Sequence, residues 1–246
     1  MDSVSLVYRR ILIKLSGEIF GDQKALCTDV LSNFTHDLIR ITQLGVEVGL
    51  VLGGGNVLRG NQCTHLGINR ITADQIGMLA TVINALLLRD QLERQQISAR
   101  IMSAFPIGNF IKPFERHKAI DYLIKKRIVI FAGGTGNPLV STDAAASLRA
   151  IEIGADVLLK ATHVEGIYSS DPNRDPKAIL FKTLTYQDVL NKELGVMDLA
   201  AFSQCRDHRM PIRIFNMNQP KVLEAIVRGE SIGTLVSERA GGLHDD

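Results

Sequence analysis

Two lysines stand at the ends of short apolar segments, where a charged side chain is unusual unless it faces a site. Lys14 precedes the turn residue Gly17, and Lys160 directly follows Ala155–Leu159. Alone, Lys14 could be a surface lysine whose charge reaches solvent. Two ammonium groups directed into one crevice would suit a phosphoryl group, whose oxygens stay charged through the transition state. Because like charges repel, a carboxylate must lie between them, and Asp143 is our candidate.

Two glycine clusters also follow apolar segments. The first is Gly53–Asn56, with Arg59 shortly after it, and the second is Gly133–Pro138. Successive glycines expose backbone amides that can bind anionic oxygens, and an arginine can add a bidentate charge. A flexible turn is the alternative interpretation, but the position directly after a strand favours anion binding.

The second cluster continues into side chains that could recognise a polar base. Thr135, Asn137, Ser141 and Thr142 offer hydroxyl and amide groups. Asp143 then begins the next predicted helix, where a carboxylate is favoured by the helix dipole and could also serve as the N-cap. These residue types indicate a small polar ligand next to an anion site.

The common phosphate-binding motifs are absent from the sequence. There is no Gly-Lys dipeptide, so the chain has no Walker A loop. Both glycine clusters also fail the GxGxxG pattern, because Leu58 and Leu139 occupy its last position. The signature motifs of protein kinases are missing as well. Phosphate binding would therefore use a different arrangement.

The pattern of elements indicates an α/β fold. Short runs rich in Val, Ile and Leu predict strands that are covered on both faces. Amphipathic segments between them predict helices, and Thr185 with Asp188 forms a predicted capping box. We therefore expect a mainly parallel sheet with helices on both faces. The predicted strands are Ile11–Leu15, Val46–Leu52, Arg127–Ala132, Ala155–Leu159 and Pro211–Phe215.

Composition limits the remaining possibilities. A chain of 246 residues with 46% apolar residues fits one domain or two small lobes. Its net charge of +2 does not favour nucleic acid or an anionic membrane. No secretory signal is evident, and the apolar stretch Met78–Leu88 is too short to span a bilayer. Cys27, Cys63 and Cys205 are widely separated and predict reduced thiols in the cytoplasm rather than a metal site or disulfides.

Taken together, the motifs resemble the bacterial uridylate kinases of the amino-acid kinase family. The resemblance extends from about Tyr8 to Leu235, which is nearly the whole chain. Three segments in combination are specific to the UMP-using branch: the one around Asp74, Gly134–Pro138 and Val196–Phe202. The full set of matching motifs is Ile13–Glu18, Gly53–Gly60, Asn69–Met78, Gly134–Pro138 with Thr142 and Asp143, Leu159–Thr162, Val196–Phe202 and Ile214–Asn218.

The resemblance implies a fold, a reaction and a division of the chain. The fold is that of the amino-acid kinases, with a single domain over 1–246. Its N-terminal part would mainly bind UMP and form the oligomer, and roughly 150–240 would mainly bind ATP. The reaction is reversible transfer of the ATP γ-phosphoryl group to UMP, giving UDP and ADP, in pyrimidine nucleotide biosynthesis. Mg²⁺ would accompany ATP, and no protein metal site is expected.

The resemblance also implies residue roles. Lys14, Lys160 and Asp143 would be catalytic, with Asp143 orienting the lysines and Asp198 a weaker candidate for the same network. The residues expected to bind ATP are Lys14, Leu15, Ser16, Gly17, Gly55, Arg59, Thr162, Tyr168 and Asp171. The residues expected to bind UMP are Gly54, Asp74, which would hold the ribose hydroxyls, Thr135, Gly136, Asn137, Pro138, Leu139, Val140, Ser141 and Thr142.

The resemblance also bears on the oligomeric state and on regulation by nucleotides. The family assembles as homohexamers, and UTP inhibition would be in keeping with it. Related enzymes often carry a longer glycine-rich segment after Gly17 that is linked to activation by GTP. Here Ile19–Cys27 is shorter and poorer in glycine, which argues against GTP activation.

Two alternatives remain open from the sequence. A related kinase that phosphorylates a carboxylate or carbamate would share both lysines and Asp143, but not the Asp74 and Gly134–Pro138 pair of motifs. A binding module that senses nucleotides would keep the site without turnover. Both alternatives are testable with purified protein.

Overall fold

The computed structural model describes residues 6–21, 29–57, 67–195 and 197–239. Within these residues nine strands form one sheet. The strands are β1 (Arg10–Leu15), β2 (Glu47–Leu52), β3 (Ala99–Ser103), β4 (Lys112–Pro113), β5 (Ile128–Ala132), β6 (Val157–Thr162), β7 (Thr183–Thr185), β8 (Ile212–Asn216) and β9 (Thr234–Ser237).

Helices connect most of these strands. A short 3₁₀ helix covers Gly17–Phe20. The α-helices are α1 (Asp29–Gln43), α2 (Arg70–Arg94), α3 (Arg116–Ile124), α4 (Thr142–Ile153), α5 (Tyr186–Asn191), α6 (Leu199–Asp207) and α7 (Val222–Val227).

The strand order places the first strand at the centre of the sheet. The order is β4-β3-β5-β2-β1-β6-β8-β9-β7, and the pairing is parallel except between β8 and β9. From β1 the chain first builds the side that contains β2, β5 and β3, and later builds the other side from β6 onward. The order therefore reverses between β1 and β6. In open α/β sheets, ligands bind outside the carboxyl ends of the strands at such a reversal.

Apolar residues cover both faces of the sheet, as the continuous Val, Ile and Leu runs predict. Ile11 and Ile13 of β1 point into the cluster beneath α1, α2 and α7, whereas Leu12 points into the cluster beneath α3 and α4. All three side chains are fully buried. The predicted fold class, a mainly parallel sheet between helices, is confirmed.

The long helix α2 could cross a membrane by length and composition alone. Our sequence prediction considered only Met78–Leu88 and missed this longer segment. One face of α2, including Ala85, Leu88 and Leu92, is nevertheless buried in the core. The opposite face leaves Ile71, Leu79 and Ile83 exposed.

The structure corrects several predicted boundaries. The strand β6 extends to Thr162, so Lys160 lies within it and not beyond it. The strands β2, β5 and β8 each begin one residue later than predicted, at Glu47, Ile128 and Ile212. Four short strands, β3, β4, β7 and β9, were not predicted. One smaller prediction is confirmed, because Thr185 and Asp188 form a capping box. The structure also contains a short hairpin, in which an antiparallel bridge pairs Tyr168 with Leu180.

Candidate functional site

The two predicted lysines lie side by side on neighbouring strands. Lys14 of β1 and Lys160 of β6 are register partners in the parallel pair. Their Nζ atoms both contact the carboxylate of Asp143, at 3.0 Å from Oδ1 for Lys14 and 2.6 Å from Oδ2 for Lys160. The three side chains are only 12–15% exposed. A single carboxylate therefore holds two cations together at the point where the strand order reverses.

The position of Asp143 explains why its carboxylate is available to the lysines. We considered Asp143 as an N-cap, but Ser141 is the N-cap of α4, and its side chain accepts a hydrogen bond from the Ala144 backbone N–H. Asp143 lies in the first turn, where the helix dipole favours a negative charge. Its side chain is thereby free to pair with Lys14 and Lys160.

Burial and charge shift two pKa values at this cluster. Burial alone would raise the pKa of Asp143, but the two lysines outweigh it and hold that pKa below its ordinary value. Burial lowers the pKa of Lys160, and repulsion from Lys14 lowers it further, against the attraction of Asp143. The carboxylate of Asp143 is thus stabilised in its charged form between two basic side chains, an arrangement suited to an incoming phosphate.

The first glycine loop packs directly on the end of β1. A Cβ atom at Gly17 would lie 2.7 Å from Asn56 Oδ1 and 2.8 Å from the Gly55 nitrogen, so no side chain fits there. The Gly53 backbone N–H donates to Leu15 O at 2.9 Å. The backbone of the loop Gly53–Asn56 is therefore in direct contact with the backbone of the segment after Lys14. Arg59 lies outside the described residues.

The second glycine loop follows β5 and adopts backbone angles that favour glycine. Gly133, Gly134 and Gly136 have φ values of +78°, +59° and +84°. The Gly133 N–H donates to the buried Thr81 hydroxyl at 2.7 Å. Leu139 also has a positive φ, of +68°, and its N–H donates to Asp74 Oδ2 at 2.9 Å. The loop is thus attached to α2 at both of its ends.

A cleft of about 350 Å³ lies between the two loops and α2. This volume falls at the lower end of the range for small-molecule sites. Asp74 projects from α2 into the cleft, and the Arg70 Nε–H donates to both of its carboxylate oxygens at 2.9 and 3.0 Å. The predicted UMP residues that line the cleft are Gly54, Asp74, Asn137, Val140, Ser141 and Thr142.

The remaining predicted UMP residues belong to the same loop without lining this cleft. Thr135 lines a neighbouring cavity, together with Asn137 and Val140. Gly136, Pro138 and Leu139 form the turn between these positions, and the Leu139 side chain is 66% exposed. Leu139 therefore presents its backbone N–H to Asp74 and its side chain to solvent.

Three of the predicted ATP residues, Thr162, Tyr168 and Asp171, lie at or after the end of β6. Thr162 ends this strand, and its hydroxyl donates to Val164 O at 2.7 Å. Tyr168 is half-buried in the hairpin, and Asp171 is exposed and accepts the Asn173 N–H at 2.9 Å. These residues lie on the β6 side of the lysine cluster, whereas Asp74 and the second glycine loop lie on the β2 and β5 side.

Asp198 joins the network from α6. It is the N-cap of that helix and accepts hydrogen bonds from the Ala201 N–H and the Ser141 hydroxyl. Its charge also attracts the ammonium group of Lys160. The structure thus connects Asp198 to the N-cap that precedes Asp143, and its predicted role in catalysis stays a prediction.

Sequence reasoning missed two polar residues of α2. Thr81 and Asn84 are buried, and both bond to a glycine loop. A signal was available, because they follow Asp74 by seven and ten residues, a spacing that places all three on one face of a helix.

Comparison with known proteins places the chain in a family. The model of the Amino acid kinase family matches residues 9–216. The uridylate kinase of Coxiella burnetii is 53% identical over 234 residues, covering 94% of this chain and 96% of that protein. The uridylate kinase of Pectobacterium atrosepticum is 50% identical over 234 residues, covering 94% and 97%. The structure of UMP kinase from Bacillus anthracis superposes with a TM-score of 0.92 at 38% identity, covering 97% and 99%. The chain therefore belongs to the amino acid kinase family and, within it, to the uridylate kinases.

Proposed function

We propose that the chain transfers the γ-phosphoryl group of ATP to UMP, giving UDP and ADP, as a UMP kinase of pyrimidine nucleotide synthesis. Membership of the uridylate kinases makes it a phosphotransferase that acts on a nucleoside monophosphate. The observation that carries the proposal is the pairing of Lys14 and Lys160 through Asp143, beside a cleft that contains Asp74.

The cluster supports direct in-line transfer. An oxygen of the UMP phosphate attacks the γ-phosphorus of ATP, the bond from that phosphorus to the β–γ bridging oxygen breaks, and ADP leaves with the bond's electron pair. Lys14 and Lys160 stabilise the charge on the transferred group, and the amides of Gly54 and Gly55, in the loop that packs against Gly17, would contribute. No general base is required, because the UMP phosphate is already anionic near neutral pH.

Mg²⁺ fits this site as an ion carried by the nucleotide. Within the described residues, no group of three or more His, Cys, Asp or Glu side chains could hold a metal, and Asp143 is engaged by two lysines. Phosphate oxygens would therefore hold most of the ion, which is usual for Mg²⁺ in kinases. When bound, the ion would offset charge on the β- and γ-phosphates.

We assign the two nucleotides to opposite sides of the lysine cluster. ATP would occupy the side of Lys14–Gly17, Gly55 and the segment after β6. UMP would occupy the cleft with Gly54, Asp74 and the loop Thr135–Thr142. The single domain is thereby divided into a mainly UMP-binding N-terminal part and a mainly ATP-binding part over about 150–240.

A substrate panel tests the reaction. The purified chain is incubated with Mg-ATP and, separately, with UMP, CMP, acetylglutamate or aspartate, and ADP release is measured. We expect release with UMP well above the other acceptors. Release with acetylglutamate or aspartate alone would identify a carboxylate kinase instead. UMP binding by calorimetry without any UDP in the same sample would indicate a sensing module.

Assembly and regulation are part of the proposal. The exposed apolar side chains of α2 (Ile71, Leu79 and Ile83) support an oligomer, which we propose to be a homohexamer. Sedimentation of the wild type and of Ile83→Glu would test this, with smaller particles expected for the variant. We further propose that UTP inhibits the enzyme and that GTP does not activate it, and the substrate panel repeated with each of these nucleotides would test both effects. We also propose a cytoplasmic location, which cell fractionation would test.

A further inference from the structure

The side chain of Asn84 is completely buried on the inner face of α2. Apolar residues flank it on that helix, including Ala85 and Leu88. A buried amide is costly unless its donors and acceptor are all bonded, so its partners show what the residue is for.

All the hydrogen bonds described for the Asn84 side chain go to the first glycine loop. Its Nδ2 donates to Gly53 O at 2.8 Å and to Asn56 Oδ1 at 2.9 Å, and its Oδ1 accepts from Asn56 Nδ2 at 3.0 Å. The two amides thus form a reciprocal pair. Gly53 and Asn56 lie 31 and 28 residues away in the chain. Asn84 therefore determines where both ends of this loop lie relative to α2.

The loop that Asn84 holds contributes backbone to the lining of the cleft. Gly54 and Gly55 lie between the two bonded residues and line the cleft. Asn56 Oδ1 also lies against Gly17, where a Cβ atom would come within 2.7 Å. On the other side, a Cβ atom at Gly54 would lie 2.4 Å from Gly77 O of α2. A shift of the Asn56–Asn84 pair would consequently move the Gly54 and Gly55 amides relative to Lys14.

Thr35, another buried polar side chain on a helix, shows a different pattern. Its hydroxyl donates to Leu31 O in its own helix at 2.8 Å and has a longer contact of 3.3 Å with Gln91 Oε1 of α2. Asn84 has no such bond to its own helix among those described. All of the described side-chain partners of Asn84 belong to a loop, whereas the shorter bond of Thr35 stays within its own helix. Asn84 is therefore the residue of the two whose side chain is used entirely to orient another segment.

We propose that Asn84, together with Asn56, is a positioning residue for phosphoryl transfer. The pair holds the Gly54 and Gly55 amides beside the cluster of Lys14, Lys160 and Asp143, where they act on charge that develops in the transition state. This inference rests on the proposed function. Loss of the Asn56–Asn84 pair should lower turnover more than it lowers the affinity for either nucleotide, because misplaced donors mainly weaken transition-state stabilisation.

The test compares Asn84→Ala, Asn56→Ala and the double variant with the wild type. UDP formation gives kcat and the KM for UMP and for ATP, and thermal unfolding gives stability. We expect kcat to fall by about tenfold or more in each single variant, with much smaller changes in both KM values. The double variant should be no slower than the slower single variant, because the two amides act as one unit.

Leu88→Ala is the matched control, since Leu88 is buried on the same helix one turn further on. It should unfold at a lower temperature while its kcat stays near that of the wild type. If Asn84→Ala does not fold, Asn56→Ala carries the test, because Asn56 is only half-buried.

Two outcomes would overturn the inference. One is an unchanged kcat in the folded single variants, and the other is a loss of kcat no larger than that of Leu88→Ala. A wild-type chain that forms no UDP would instead refute the proposed function, so the two failures are distinguishable.

Discussion

The two ends of the proposed site, the lysine cluster that we assign to phosphate and the Asp74 region that we assign to the sugar, are built differently. At the phosphate end, Lys14, Lys160 and Asp143 project from two central strands and the first turn of a helix, with side chains 12–15% exposed. At the sugar end, Asp74 is 25% exposed, and its partner Arg70 is 71% exposed. The other partner of Asp74 is a backbone N–H in a surface loop.

The lysine cluster is therefore a preorganised site, whereas the Asp74 carboxylate has hydrogen-bond partners that a ligand can replace. The buried cluster needs no rearrangement to meet a phosphoryl group, since its charges already converge. The Asp74 carboxylate instead bonds to groups that solvent or a ribose hydroxyl can replace at low cost. We therefore expect changes at the phosphate end to affect turnover and stability, and changes at the sugar end to affect mainly the binding of UMP.

The largest effect is expected for Asp143→Asn, which leaves two buried lysines facing each other. Removing one member of a buried ion cluster typically costs about 3–5 kcal/mol of unfolding free energy. Because folding lowers the pKa of Asp143 below its ordinary 3.8, this stabilisation is complete above that value and is lost as the pH falls through the lowered folded pKa. Urea unfolding from pH 7 to pH 3 measures it.

In that experiment, the stability gap between the wild type and Asp143→Asn should narrow toward acidic pH. Asp121→Asn is the control, because Asp121 forms an exposed pair with Lys125 and should cost little at any pH. A gap that stays constant down to pH 3 would show that the Asp143 charge does not stabilise the fold.

Lys14→Ala and Lys160→Ala come next and test turnover directly. Each removes a preorganised charge from the transferred group, so kcat should fall by about 100-fold or more. UDP formation under saturating ATP and UMP measures the loss. Lys125→Ala, at an exposed lysine, should retain wild-type turnover; the same result for both cluster variants would exclude them from the mechanism.

Asp74→Asn tests the sugar end and should have a smaller effect. Replacing a charged acceptor by a neutral one should raise the KM for UMP by about tenfold, corresponding to ~1.4 kcal/mol, with little change in kcat or in the KM for ATP. Steady-state kinetics with each nucleotide varied measures both constants. Asp90→Asn is the control, since Asp90 lies on the same helix and pairs with Arg94 on the surface. A change confined to kcat would place Asp74 at the phosphate end instead.

The smallest effect is expected for Arg70→Ala. Its pair with Asp74 is exposed and spans one turn of α2, a geometry that contributes less than about 1 kcal/mol to stability. Thermal unfolding should therefore shift only slightly. A loss of stability as large as that of Asp143→Asn would contradict the distinction between the two ends.

Much of the fold and of the site could be predicted from local pattern. The apolar runs that became β1, β2, β5, β6 and β8 are continuous because both faces of these strands are covered. The short strands β3, β4, β7 and β9 lie toward the two ends of the sheet order, and their sequences carry no strong apolar run. Their pairing comes from the adjacent strands and not from their own residues. Arg59, Cys27 and Cys63 lie outside the described residues, so their predicted roles stay predictions.

The sequence by itself determined which residue types were available: two lysines at strand ends, glycines where the backbone must pass closely, and a carboxylate in the first turn of a helix. Only the tertiary structure decided that Lys14 and Lys160 are neighbours, because residues 146 positions apart meet only when β1 and β6 pair in register. It also decided that the buried Asn84 serves a glycine loop and not its own helix. Spacing along the chain gives the face of an element, whereas the order of strands in the sheet determines what that face meets.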